Sequence, residues 1–249
     1  MPEKIANALK SSRESKAAVE TQRFEMYEQG DELNSFHAPL ELGDIFTKIS
    51  NNKQYILLTQ PCDLMVRGNG KRSYDDKMGR TGTLIELVMD SGKKTVSREE
   101  LRFFHEGTGQ SAYANLAKPH QVQLSVLDLC VYTADGVAEI DVVDSLCPDL
   151  VIEPWKARFF LLQKHFKTAF ENYQLLDEKN VDDPLISLAL PNLPTSIAIT
   201  PDVNANKVKY GIKRVLRLRR PWSSALLTAY SHYMARAAFD HQFERLEVT

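Results

Sequence analysis

The chain has 249 residues with 31 basic and 33 acidic side chains, which gives a formal net charge of -2. This near-neutral balance excludes a global attraction to nucleic acid or to membrane lipid, so any such attraction has to come from a local cluster of charge. The hydrophobic content of 43% and the charged content of 26% are typical of a globular protein that is long enough to bury a sizeable core.

The first 40 residues predict a leading helical arm. They are polar, and their scattered apolar positions, such as Phe24 and Tyr27, form only a weak helical stripe. Gly30 and Pro39 mark the end of this segment. We expect a solvent-exposed helix, with a partner-binding helix as the alternative.

Residues 41–150 predict a β-barrel-like domain. Residues 55–58 form a continuous apolar run, as expected of a strand that is covered on both faces. The segment 121–133 begins with strand-like alternation and then shifts its phase near Leu127, which indicates a β-bulge or a barrel corner. Short strands joined by close turns favour a small barrel or a strongly bent sheet.

The stretch "QPCDL" follows the apolar run directly and predicts a rigid corner. Pro61 lacks an amide hydrogen and therefore ends a central strand, while the residue before it is held extended. We expect Gln60, Cys62 and Asp63 to project from the end of the strand, where functional side chains are often placed. Asp63 has a structural alternative, since its side chain can cap the following turn.

Two arginines flank a predicted hairpin turn just after this corner. Glycines at 68 and 70 supply the backbone angles of a tight turn, and Arg67 and Arg72 stand on either side of it as candidates for clamping one anion. Gln60, Asp63 and Arg67 are the candidate catalytic residues. A catalytic Cys62 needs a neighbouring base, and no histidine is close to it in sequence.

Three cysteines, Cys62, Cys130 and Cys147, are odd in number and far apart. This pattern argues against a disulfide framework and against a cysteine-rich zinc site. We expect no metal, no cofactor and a reducing, cytoplasmic setting. The amino terminus is too polar for a signal peptide, and no apolar run approaches the roughly 20 residues that cross a bilayer, so we predict no membrane partner.

Residues 151–249 predict a helical or mixed region that packs on the barrel or continues it as one domain. The clearest helix spans 153–177 and carries an aromatic stripe at spacings of three and four, which favours core packing over a ligand-binding aromatic box. The stripe consists of Trp155, Phe159, Leu162, Phe166, Phe170 and Tyr173. Short strands are expected between prolines 184 and 201, and a last helix over 221–243.

A basic strand over 207–219 is the only dense cluster of positive charge that we single out. Alternation places apolar side chains on one face, with Arg214 among them in need of a partner. The opposite face carries Lys207, Lys209, Lys213, Arg217 and Arg219. Contact with RNA or DNA is one explanation. Pairing with acidic segments such as 177–183 is the second, and an edge strand defended by lysines is the third.

The runs "LGDIFTKI" and "YILLTQPCDL" resemble the opening of the small SH3-like barrels of the MazF/PemK toxin class. The Gln-Pro-Cys-Asp-Leu run and "YSHYMARAAFDHQF" are also similar to uncharacterised prokaryotic proteins of conflict or phage-defence loci. The toxin class implies endoribonuclease activity through an arginine before the apolar strand and a hydroxyl on a later strand. This chain has Lys53-Gln54 at the first place, and Thr81 or Thr83 at the second.

Taken together, the sequence predicts an α+β protein with a bent antiparallel SH3-like barrel, a leading helix and a helix-rich carboxyl-terminal half. We expect a non-catalytic module that binds nucleic acid or a protein partner encoded nearby, in a prokaryotic, toxin-antitoxin-like or antiviral defence system. A MazF/PemK-like endoribonuclease and a structural assembly subunit are the alternatives.

Overall fold

A computed structural model describes residues 21, 24–73, 78–89, 100–104, 111–177, 190–191, 202–204 and 206–243. Its strands are β1 (Tyr27–Gln29), β2 (Asp44–Lys48), β3 (Gln54–Leu57), β4 (Thr81–Met89), β5 (Glu100–Phe104), β6 (Ser111–Gln123), β7 (Val137–Asp141), β8 (Asp202–Asn204) and β9 (Lys207–Leu218). Its helices are α1 (Gly30–Ser35), α2 (Pro61–Leu64), α3 (Leu124–Asp128), which runs into a 3-10 turn at Leu129–Val131, α4 (Glu153–Asp177) and α5 (Trp222–Phe243).

The described strands form one antiparallel sheet in the order β1-β9-β2-β3-β4-β6-β5, and β7 and β8 also pair with β9. Register shifts interrupt the ladders of β2 with β9, of β4 with β6 and of β7 with β9. Such bulges increase local bending and twist, and the sheet curls into a half-barrel. This confirms the predicted α+β class and the bent antiparallel sheet.

Strand β9 is the hub of the sheet. Its first half pairs with β7 and β8, and its second half pairs with β2 and β1. Val208, Tyr210 and Ile212 are buried, as the predicted alternation requires. Strands near both ends of the described chain therefore belong to the same sheet.

Helix α4 packs on this sheet through the aromatic stripe. Five of its six members are buried and Tyr173 is partly buried, which confirms core packing. The Phe166 ring lies 6.2 Å from that of Tyr210 on β9, and the Phe159 ring lies 5.0 Å from that of Tyr132. No helix in the described ranges is both long enough and apolar enough to cross a membrane.

The strand predicted over residues 121–133 is wrong from Leu124 onward. Strand β6 ends at Gln123, and the chain continues as α3 and the 3-10 turn instead of a bulged strand. Every residue from Leu124 to Val131 is buried. Such a helix is covered on all sides, so apolar residues occupy every face and the sequence shows no helical period. The pattern then resembles that of a buried strand.

Parts of other predictions lie outside the described residues. Of the leading helical arm predicted over residues 1–40, Thr21 and residues 24–40 are described, and Thr21 and 24–26 are helical. Strand β1 follows, with Tyr27 buried and paired with Leu218, and then α1, so this part joins the sheet instead of forming an exposed helix. The two short strands predicted between prolines 184 and 201 also fall outside the described part of the chain, apart from 190–191.

A buried ion cluster joins α3, α4 and the loop after α2. Arg72 donates to both carboxylate oxygens of Asp128, at 2.6 and 2.5 Å, and Arg158 Nε donates to Oδ2 at 2.9 Å. All three side chains have 0% exposure. Burial alone would raise the pKa of Asp128, but the two guanidinium charges outweigh it and lower the pKa. Because the folded pKa is depressed, this stabilisation is present at neutral pH and is lost only as the pH falls through the lowered pKa.

Replacing Asp128 by alanine should lower the free energy of unfolding by about 3–5 kcal/mol, because two buried guanidinium groups lose their shared carboxylate. Urea unfolding at pH 7, followed by circular dichroism, measures this loss. Asp149→Asn, at an exposed aspartate, is the matched control and should change the free energy by less than about 0.5 kcal/mol. Equal effects of the two changes would show that the cluster contributes nothing.

Candidate functional site

The Gln60–Asp63 corner is a single helical turn at the end of β3. The Leu58 amide still donates to Thr83 on β4, which keeps the chain on the sheet as far as that point. Pro61 then begins α2, where a first-turn proline has no amide to leave unpaired. Gln60 and Cys62 are exposed and Asp63 is partly exposed. The predicted projection of these side chains is confirmed, with a helical turn in place of a simple bend.

The partner of Asp63 is an arginine that sequence reasoning missed. Arg80 lies 2.5 Å from the Asp63 carboxylate, and both side chains are partly exposed. Arg80 also donates to the Ser73 carbonyl at 3.4 Å, and Arg67 donates to the Ser73 hydroxyl at 2.7 Å. The two arginines thus meet at Ser73, close to the corner. The sequence offered one signal for this contact, because Arg80 directly precedes Thr81, the first residue of β4.

Within the described residues, no imidazole contacts Cys62 at this corner, and His105 lies outside them. Its thiol contacts are Gln60 Oε1 at 3.6 Å and Asp63 Oδ1 at 3.9 Å. His37 lies within 2.7 Å of the Val131 carbonyl, and the His120 ring packs edge-on against Tyr55, so neither serves Cys62. All three cysteines are free thiols.

Arg72 is not half of an anion clamp, contrary to the prediction. The turn between the two arginines forms as expected, with Gly70 at φ +76°, and Arg67 is exposed. Arg72, however, is buried with both ends of its guanidinium on Asp128. Its Nε donates to the Leu64 carbonyl at 3.0 Å, and its guanidinium lies 5.6 Å from the centre of the Trp155 ring. A side chain in this position cannot reach an external phosphate.

The basic face of β9 is largely matched by acids on neighbouring strands. Lys207 stands opposite Asp141, and Lys209 stands opposite both Glu139 and Asp202. The Nζ atoms of these lysines lie 3.3 and 3.5 Å from the Glu139 carboxylate. Cross-strand pairs of opposite charge stabilise a sheet. For Lys207 and Lys209, pairing with acids on neighbouring strands therefore explains the charge. Of the acidic segment 177–183, only Asp177 lies within the described residues.

The rest of the basic strand divides into exposed and buried members. Lys213 and Arg219 are exposed, and Arg219 lies 3.8 Å from Glu28. Arg217 is 6% exposed and bonds the buried Asp44 at 2.6 Å, which corrects its assignment to an external phosphate contact. Arg214 has the partner it needs, because its Nε donates to Asn34 at 2.8 Å.

A groove lies beside the corner. It has a volume of about 300 Å³. Its lining is mainly apolar, with one acid and one base, and comprises Pro39, Leu40, Glu41, Leu42, Pro61, Leu64, Met65, Val66, Trp155 and Arg220. Met65 is 56% exposed at its rim, whereas Trp155 is buried. Glu41 and Arg220 are both exposed.

Buried arginines hold both walls of this groove. On the side of α2, Arg72 bonds the Leu64 carbonyl and covers the Trp155 ring. On the opposite side, Arg217 donates to the Pro39 carbonyl at 2.5 Å, and Arg214 donates to the Ala38 carbonyl at 2.8 Å. Because these contacts involve fully or largely buried groups, the walls are fixed before any ligand arrives.

No group of three or more His, Cys, Asp or Glu side chains is arranged to hold a metal ion within the described ranges. The chain matches no protein-family model, no curated protein and no solved structure. The resemblance to the MazF/PemK class and to conflict-locus proteins therefore stays a prediction.

Changing Arg217 to alanine should lower the free energy of unfolding by about 3–5 kcal/mol, because the change leaves the carboxylate of Asp44 buried without its nearest charge. Lys209→Ala, on the same face of β9 but exposed, is the matched control and should cost less than about 1 kcal/mol. Both values come from urea unfolding at neutral pH. Similar values for the two variants would contradict the division of the strand into buried and exposed members.

Proposed function

We propose that this protein is a non-catalytic binding module whose groove receives a short apolar segment of a partner polypeptide. One observation carries the proposal: the groove beside the Gln60–Asp63 corner has apolar walls, and buried arginines fix both of them. A preformed site loses little conformational entropy on binding, so a small contact yields useful affinity.

The lining of the groove favours a polypeptide as its occupant. A volume of about 300 Å³ is at the small end of ligand sites and suits a few side chains. Apolar walls formed by prolines, leucines and Trp155 are typical of grooves that bind extended peptides. The exposed charge of Arg220 favours a segment with an acidic residue beside its apolar anchor. The Glu41 carboxylate already lies 3.8 Å from Arg217 and is matched within the chain.

The proposal includes the setting predicted from the sequence. We assign the bent sheet to the SH3-like barrels and the protein to a prokaryotic multi-component system, with a role in antiviral defence and a cytoplasmic location. The antiparallel half-barrel supports the barrel assignment. The defence setting is supported by the resemblance of the Gln-Pro-Cys-Asp-Leu run to conflict-locus proteins. In such a system, a groove that recognises a peptide segment would recruit one component to another.

Selection of random phage-displayed peptides on the full chain tests the groove. We expect enriched peptides with at least two apolar positions and an acidic residue that faces Arg220. An enriched peptide, synthesised and measured by fluorescence anisotropy, should bind the Met65→Lys variant at least about tenfold more weakly, because lysine places a charge on the apolar rim.

Met234→Lys supplies the matched control, since Met234 on α5 is 44% exposed and does not line the groove. The affinity of the Met234→Lys variant for the same peptide should equal that of the unmodified chain. Failure to enrich any peptide family, or equal weakening by both lysine substitutions, would contradict the proposed function.

An endoribonuclease is the second candidate, because Gln60, Asp63 and Arg67 share one corner with Arg80. A carboxylate and nearby guanidinium groups are the side chains that position RNA and stabilise phosphate charge. Under our proposal, a mixed RNA pool incubated with the purified chain should remain uncut. Cleavage that Asp63→Ala and Arg67→Ala abolish, and that Lys213→Ala leaves intact, would establish the nuclease instead.

A further inference from the structure

Helix α4 has an exposed stripe on the side away from its aromatic core stripe. Its members recur at spacings of three and four, so they lie along one side of the helix over about 22 Å. They are Phe160, Lys164, Lys167, Glu171 and Leu175. The two apolar members at the ends, Phe160 and Leu175, are 60% and 54% exposed.

The order of residues along this stripe is self-complementary. Two copies of the helix placed antiparallel, with the two-fold axis beside Thr168, bring Phe160 of each copy against Leu175 of the other. The same placement brings Lys164 of each copy against Glu171 of the other. Lys164 and Glu171 make no ion pair with the described residues of their own chain, so both charges are available for this contact.

We propose that a second copy of this chain covers the stripe and forms a two-fold symmetric dimer through α4. A two-fold interface uses the same patch on both copies, so every contact between two different residues occurs twice. Here the symmetry gives two apolar contacts at the ends and two ion pairs between them. A parallel, in-register pairing would set Lys164 against Lys164 and Glu171 against Glu171, whereas the antiparallel pairing sets only the two Lys167 side chains, beside the axis, near each other.

Neighbouring apolar side chains widen the contact. The Ser145 carbonyl accepts a hydrogen bond from Gln163 Nε2 at 3.3 Å, so the loop before α4 lies beside the helix one turn after Phe160. That loop exposes Leu146 at 89% and Leu150 at 62%. A contact made by one helix face and one loop lies at the small end of specific interfaces. We therefore expect a dimer whose dissociation constant is in the micromolar range.

Charge exchange across the two-fold axis tests the dimer. Sedimentation equilibrium of the full chain from about 1 to 200 μM should show a concentration-dependent dimer. Lys164→Glu alone, or Glu171→Lys alone, should raise the dissociation constant at least about tenfold, because each change creates two like-charge contacts. The double variant Lys164→Glu/Glu171→Lys should restore dimerisation, since both ion pairs are formed again with reversed polarity.

Lys213→Glu, an exposed lysine on β9, makes the same charge change away from α4 and should leave the dissociation constant unchanged. A chain that stays monomeric at 200 μM overturns the proposal and leaves the stripe for a different protein. A dimer that both single variants preserve, or that the double variant fails to restore, places the interface elsewhere on the molecule.

Discussion

The carboxylate of Asp128 joins three segments that are far apart in sequence. It receives Arg72 from the loop after α2 and Arg158 from α4, and it stands at the end of α3. A buried carboxylate is costly unless its charge and its lone pairs are matched, and two guanidinium groups provide both. The position of α4 on the sheet, and of the Gln60–Asp63 corner beside α4, depends on this contact. The groove lies where these segments meet.

Four buried arginines, Arg72, Arg158, Arg214 and Arg217, build the structure instead of binding a ligand. Arg72, Arg214 and Arg217 are buried and donate to backbone carbonyls of the segments that line or adjoin the groove. A guanidinium group suits this task because it stays charged and presents several donors in one plane. Each of these three arginines therefore fixes a point of the backbone, whereas exposed Lys207 and Lys209 are balanced by an acid on an adjacent strand.

Local pattern predicted much of the fold and little of the site. Alternation identified the buried face of β9, spacing identified the core stripe of α4, and Pro61 located the corner. Arg72 and Arg217 were assigned to an exposed surface because their partners are remote, 56 residues away at Asp128 and 173 residues away at Asp44. No local pattern reports such a partner. The Leu124–Val131 segment was misassigned for a related reason, since complete burial removes the periodicity that separates helix from strand.

The central place of β9 affects how the protein is made. Strand β1 pairs with β9, and β2 has β9 as its second partner beside β3, so these ladders with β9 form only after residue 218 has been synthesised. Pairing strands that are this far apart in sequence requires closing a long loop, which costs conformational entropy before the pairing stabilises the sheet. Such a sheet is therefore expected to fold slowly. While the middle of the chain is still being synthesised, the apolar strands β2 and β3 lack their final cover, so apolar surface and an unpaired strand edge stay exposed during synthesis.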